Sequence, residues 1–299
     1  MVRKITNEYI KGFTKALLHT DNSEIAKAIK KIEKMVDKND MNYILENLFL
    51  CAMSNEIIRA VLAGSSDDEV NDLLATSLNE YVEVLPEMLS YLKLDIKLKG
   101  LEKYCTRTIL IPFTCNLSQL AYLVLGAFHI GFRHQFTVRV KNEQYLSKGL
   151  CENEPYVMDS VILGQVGLNL QKGMKIHLTY DMGENYEFEI RVADIIREKH
   201  IVSSYDSRII RAKGGCVWED NHELMEYYYK DKEMFYKVLH EDELTEDDFE
   251  IFIDDILDSS SLLDYLNEDY LSFVAALHHF HEFGEELEDT YDDEMLDIF

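Results

Sequence analysis

Three short stretches of this chain carry residues whose types and spacing could do chemistry. The first is Tyr180-Asp181-Met182-Gly183-Glu184-Asn185-Tyr186, where two carboxylates stand close together between a pair of tyrosines. Carboxylates so near one another can share a proton or a cation, and His134 or His177 could add an imidazole to the same rim. His134, Tyr180, Asp181 and Glu184 are therefore the candidate ligand-binding residues. The stretch also reads as a tight turn between two alternating strands. Gly183 is expected to supply a positive φ, and Asp181 to accept hydrogen bonds from backbone N–H groups two residues on. A cation site would need further ligands at definite spacing, and none is visible. The hairpin is expected to be chiefly structural, with a second use as a recognition edge.

The second stretch holds His278, His279, His281, Glu282 and Glu285. On a helix His278 would stand beside Glu282, and His281 beside Glu285, at a spacing that metal ligands use. HExxH and the paired ExxH of a di-iron bundle are both missing. A solvated face is the better reading, and neither a metal nor another cofactor is expected. In the third stretch Arg208, Arg211 and Lys213 precede Gly214 and Gly215. Arginines beside glycine backbone can cradle phosphate, but the stretch matches neither a P-loop nor a dinucleotide fingerprint. An ordinary basic loop, paired with the acidic tail, fits it better. Nucleophilic catalysis has no GxSxG to start from. The five cysteines, Cys51, Cys105, Cys115, Cys151 and Cys216, form no CxxC and suit idle thiols in a reducing cytoplasm.

The elements that must position these residues follow from period and charge. Residues 1–90 read as a helical bundle. Ile25, Ile29, Ile32 and Val36 share one face, with Asp21 and Glu24 resembling a capping box. A second helix closes at Gly64, and a third long helical region is expected to break near Pro86. From residue 91 the pattern alternates. Strands are expected in YLKLDIKLKGL, CTRTILIPF, HQFTVRVKNEQYL (turning at Lys141-Asn142) and on both sides of the Asp181 turn. Between them NLSQLAYLVLGAF is a helix capped from Thr114 or Asn116. The order implies an α+β fold, with a mostly antiparallel, β-grasp-like sheet and a packed helix over residues 91–240. CVWEDNHELMEYYYKD should be helical as well.

Charge divides the chain again. Residues 241–299 hold 22 Asp or Glu and no Lys or Arg, whereas residues 1–240 hold 34 acids against all 30 bases. The spacing of Phe252, Ile256, Leu263, Leu266, Phe273 and Leu277 implies acidic helices with a buried face. Such a field repels nucleic-acid phosphate and anionic membrane and attracts basic proteins. Direct nucleic-acid binding is disfavoured. No apolar run approaches the roughly 20 residues of a membrane helix, and MVRKITNEYIKGF lacks a secretory apolar region. A cytoplasmic location follows.

The motifs together resemble a known family. YCTRTILIP, LSQLAYLVLGAF and His134-Gln135-Phe136 match its strand, helix and His-x-Phe, and Tyr180–Tyr186 matches its Tyr-Asp-aromatic-Gly-Asp-x-Trp hairpin. KGGCVWEDNHELMEYY stands where the family has a Gly-rich, Cys-containing loop. Residues 91–230 thus resemble the plasmid pRiA4b ORF-3-like family, whose members also carry the label of an insertion-sequence passenger protein, TnpR. Met182, Glu184 and Tyr186 depart from the family's aromatic, Asp and Trp, and Phe188 from a frequent His. The resemblance implies no established reaction. A recombinase would need arginines clustered at a nucleophile, and the nine here are scattered. The expected function is a non-enzymatic protein-interaction module linked to mobile elements, with Asp247, Asp248, Asp254 and Asp255 meeting a basic partner. A small-ligand binder or enzyme at the hairpin rim is the first alternative, and an acidic nucleic-acid mimic the second.

Overall fold

The computed structural model describes residues 12, 15, 17–37, 40, 41, 43–45, 66–130, 133–151, 155–165, 167–203, 206–215, 217, 218 and 221–241. The helices expected beyond Glu241, with Asp247, Asp248, Asp254, Asp255 and the His278–His281 cluster, lie outside the described residues, as does Gly64. The chain divides into two compact units, Met1–Ser90 with Arg197–Val202, and Tyr91–Ile196 with Ser203–Phe299.

In the first unit α1 (Ser23–Met35) buries Ile25, Ala28, Ile29 and Ile32. Its N-cap is Asn22 rather than Asp21, and the amide oxygen accepts from the N–H groups of Glu24 and Ile25. Helix α2 (Asp67–Met88) begins with a reciprocal capping box between Ser66 and Glu69. It continues through Pro86 to Met88 instead of breaking there. A proline so near the end of a helix removes a single backbone bond, and Ser90 Oγ donates to the Pro86 carbonyl at 2.6 Å. Leu78, Val82 and Leu85 of α2 share a core with Ile29 and Ile32 of α1. Residues 197–202 return to this unit through backbone bonds from Asp37 to Lys199 and from Glu198 to Leu89.

The second unit is an α+β fold on a seven-stranded antiparallel sheet of order β4-β3-β5-β6-β1-β2-β7. The strands are β1 (Ser90–Leu98), β2 (Thr106–Pro112), β3 (Phe136–Val140), β4 (Glu143–Leu146), β5 (Lys175–Tyr180), β6 (Tyr186–Arg197) and β7 (Arg208–Lys213). Their alternation does what the sequence demands. Leu94, Ile96, Val138, Leu178 and Phe188 point to a buried face, while Lys97, Arg139, Lys175 and Arg191 point to an open one. Lys141, with φ 56°, turns β3 into β4 at the expected place. Helix α3 (Leu117–Ala127) starts from Asn116 in a capping box with Gln119. It is apolar nearly all round because residues 158–163 also lie against it, with Leu117 N–H bonded to the Val161 carbonyl. Two helices close the described chain, α4 (His222–Lys230) and α5 (Lys232–Glu241). The helix expected from Cys216 begins at His222. The basic stretch 208–213 is edge strand β7, paired with β2, and not a loop.

Candidate functional site

The Tyr180–Tyr186 turn joins β5 to β6 with Ile176 opposite Ile190, Leu178 opposite Phe188 and Tyr180 opposite Tyr186. The turn differs from expectation in one backbone respect. Gly183 is not in the left-handed region. Asp181 (φ 55°) and Asn185 (φ 61°) are. Asp and Asn tolerate this region better than other side chains because they bond locally to the backbone. Asp181 does so: its Oδ1 accepts from the N–H groups of Gly183 (2.9 Å) and Glu184 (3.3 Å). Its own N–H reaches the Gln135 carbonyl at 3.0 Å, and its carbonyl accepts from Asn185 N–H at 2.6 Å.

His134 is brought to the same corner by the Gln135 contact. Its Nε2 stands 3.7 Å from Asp181 Oδ2, and its backbone N–H donates to the Tyr180 hydroxyl at 3.2 Å. The His134 and Tyr180 rings meet edge to face at 5.8 Å. Tyr180 and Tyr186 are both fully buried, so their rings are walls of the core, whereas the His134 side chain keeps 32% exposure with its Nε2 covered. His177, the other imidazole considered, projects from the opposite face of the sheet, beside Glu189 across the strand pair.

Glu184 turns away from Asp181 toward the start of α4. Its carboxylate accepts the His222 backbone N–H at 3.1 Å, satisfying a donor that the N-cap residue Asn221 leaves without a side-chain cap. The Glu184 carbonyl lies 3.0 Å from His222 Nδ1. A carbonyl only accepts, so this contact sets the proton on Nδ1. The His222 ring stacks on Tyr186 at 4.6 Å, and its Nε2 approaches Glu226 at 3.9 Å. The structure therefore brings His134, Tyr180 and Asp181 together and spends Glu184 on the adjoining helix. His222 is the residue that sequence reasoning missed.

Arg107 is buried, with Nε donating to the Ala127 carbonyl at 2.7 Å, Nη1 to Lys213 at 2.7 Å and Thr106 at 3.0 Å, and Nη2 to Gly215 at 2.8 Å. The Gly214-Gly215 backbone considered as a phosphate cradle is thus occupied by Arg107, with the Gly215 N–H donating to Tyr229. Burial pushes the Cys115 thiol up to about 12 and raises Cys105 as well, the reverse of an activated nucleophile. Ser118 hydrogen-bonds Tyr156, which donates to Asp159 at 3.1 Å, but Ser118 is fully buried. Among the described residues no three His, Cys, Asp or Glu side chains gather as a metal ion would require, and no helix is long and apolar enough to cross a membrane.

An antiparallel sheet carrying one buried helix and a Tyr-Asp-x-Gly hairpin defines an α+β domain of a recognisable kind. The chain belongs to the plasmid pRiA4b ORF-3-like protein family, whose profile matches residues 90–253. A protein of unknown function from Methanosarcina mazei Go1, MM3350, is similar in structure at 17% identity and a TM-score of 0.40, covering 50% of this chain and 87% of that one. No curated protein matches the chain.

Proposed function

We propose that the protein is a non-enzymatic interaction module whose acidic end, residues 241–299, engages a basic protein. The observation that carries this reading is the separation of charge, with 22 acids and no base in that segment against a nearly balanced body. An acidic surface steers a cationic partner and raises its association rate, an effect that salt screens over about 10 Å at 0.1 M. The hairpin supports a binding role over a catalytic one, since Asp181 and Glu184 both hold backbone N–H groups. The family's plasmid origin makes a partner encoded on a mobile element the first place to look.

The test is to identify what full-length protein retains at low salt and then follow association kinetics against salt. Association should slow by about tenfold between 0.05 and 0.3 M salt, and by a similar factor when Asp247, Asp248, Asp254 and Asp255 are changed to Asn. A partner indifferent to both would end this reading. The alternative of a small-ligand site draws on one observation, the convergence of His134 Nε2 and Asp181 Oδ2 at 3.7 Å beside Tyr180. It predicts that His134→Ala abolishes binding of an identified ligand while the fold is kept. An acidic mimic of nucleic acid would instead compete with DNA for its basic partner.

A further inference from the structure

The open face of the sheet is charged unevenly. On its β5–β6–β1 side acids and bases alternate and pair, as in Lys175–Glu189 at 2.7 Å and Arg191–Asp95 at 2.9 Å. That pairing ends at β1, because β2 and β7 contain no Asp or Glu. The registers give the arrangement beyond it, since residues opposite one another share a face. Lys97, Thr106 and Lys213 form one row, Asp95, Thr108 and Arg211 the next, and Lys93, Leu110 and Arg208 the third. A bulge between Thr108 and Ile109 keeps Arg211 and Arg208 on one side.

Five of the six positions flanking β2 are therefore cationic. The sixth, Asp95, is engaged by Arg191 and by the Thr108 hydroxyl at 3.1 Å. Lys97, Arg208, Arg211 and Lys213 are exposed. The rows are about 7 Å apart along the strands, and the two cationic columns stand about 10 Å apart. Such a surface, on a chain of net charge −26, raises the question of what neutralises it.

We infer that this basic end of the open face is a docking surface for the chain's own acidic segment, residues 242–299. Charge complementarity is the first argument. The surface offers the exposed Arg208, Arg211 and Lys213 on an edge strand without acids, with Lys213 also donating to the Lys103 carbonyl. Beside them stand the exposed Lys97 and the half-buried Lys93, which also act on Glu189, Glu102 and Asp194. The segment offers acids in adjacent pairs such as Asp247-Asp248, Asp254-Asp255 and Asp292-Asp293 without a single Lys or Arg. Covalent connection is the second. A tethered segment acts at an effective concentration on the order of millimolar, which a free acidic peptide at cellular levels does not match. A nucleic-acid strand fits less well. Sequence-tolerant strand binding stacks bases on exposed aromatic rings, and the aromatic outward residue of these strands, Tyr91, is buried at 2% exposure with Arg208 lying 5.3 Å over its ring. Docking in cis shields the acids from foreign cations, so a basic partner must displace this surface to reach them. The inference stands whether or not such a partner exists.

Zero-length carbodiimide coupling of the full-length protein, read by peptide mass spectrometry on the monomer, tests it. Links from Lys93, Lys97 or Lys213 to acids of residues 242–299 are expected at low salt. They should fall by about fivefold or more at 0.5 M salt, where the screening length drops below about 5 Å. In the variant Arg208→Ser with Arg211→Ser the remaining lysines should lose most of those links, while the circular dichroism spectrum stays unchanged. The inference is overturned if these lysines couple only to acids of the folded body, or only to a second copy in a dimer band. It is equally overturned if a fluorescent single-stranded oligonucleotide binds the intact protein at 0.15 M salt and the two substitutions abolish that binding.

Discussion

Replacing Arg107 tests the central packing argument most directly. The side chain projects inward from β2 opposite Ile96 and donates to four backbone carbonyls. One of these is Ala127, the last residue of α3, whose carbonyl has no partner within the helix. Two others, Lys213 and Gly215, fix the chain after β7. The guanidinium also lies 4.6 Å from the Phe128 ring centroid. A hydrogen bond from a charged donor contributes about 1.5 kcal/mol or more, and a buried acceptor left without one costs about 1–3 kcal/mol. The effects are not additive, because Arg107→Met also removes the cost of burying the charge. A net loss of about 3–5 kcal/mol is expected for Arg107→Met, against a total stability of about 5–15 kcal/mol for a domain. Arg107→Lys should lose about 2–4 kcal/mol, since an ammonium cannot reach three directions from one plane. Urea unfolding with a tyrosine or tryptophan probe measures both, and amide exchange at Val217, bonded to the Phe128 carbonyl, reports the loop locally. A loss under about 1 kcal/mol for Arg107→Met would refute the claim that this residue ties α3 to the loop after β7.

Two further outcomes follow from the turn and the thiols. Asp181→Ala should cost about 2–3 kcal/mol through its lost backbone acceptor and its left-handed φ, and Asp181→Asn under about 1 kcal/mol. Gly183→Ala should be tolerated, because its Cβ would meet only Asp181 Oδ1 at 3.3 Å. Urea midpoints decide, and a larger loss at Gly183 than at Asp181 would reverse the assignment. Cys105 and Cys115 should resist alkylation at pH 8 in the folded protein, as burial raises both thiols. Labelling of either before unfolding would contradict their burial.

The α+β fold and most of its elements were legible because period and burial agree. Leu94, Ile96 and Leu98 alternate with polar residues in the sequence and fill the inner face of β1 in the structure. Asn116 and Lys141 were legible through local chemistry, one as a helix cap and one as a turn. The misreadings have equally local causes. Gly183 looked like the left-handed residue because glycine favours that region, but Asp181 and Asn185 occupy it, with side-chain hydrogen bonds to the Gly183 N–H and to Glu187 that glycine cannot make. Pro86 looked like a helix break, yet only Glu87 and Met88 follow it in α2, so any kink its ring imposes displaces almost none of the helix.

The site was harder to read because its partners come from far along the chain. Asp181 and Glu184 are near neighbours, which made them look like a pair. In space they serve different masters, one its own turn and the other a helix that begins 38 residues later. A backbone N–H needing a cap has no residue type, so nothing in the sequence announces that Glu184 is its acceptor. The same holds for Arg107. Its place in Cys105, Arg107, Ile109, Ile111 marks it as inward by parity, and an inward arginine demands acceptors, but those acceptors are carbonyls and leave no motif. The buried charged groups Asp181 and Arg107 are thus drawn to backbone, whereas exposed ones such as Lys175 and Glu189 pair with each other. That distinction separates the hairpin, where the carboxylates are already satisfied, from the β2–β7 edge, where Arg208, Arg211 and Lys213 are exposed on strands that hold no acid. Recognition by charge belongs on the second surface.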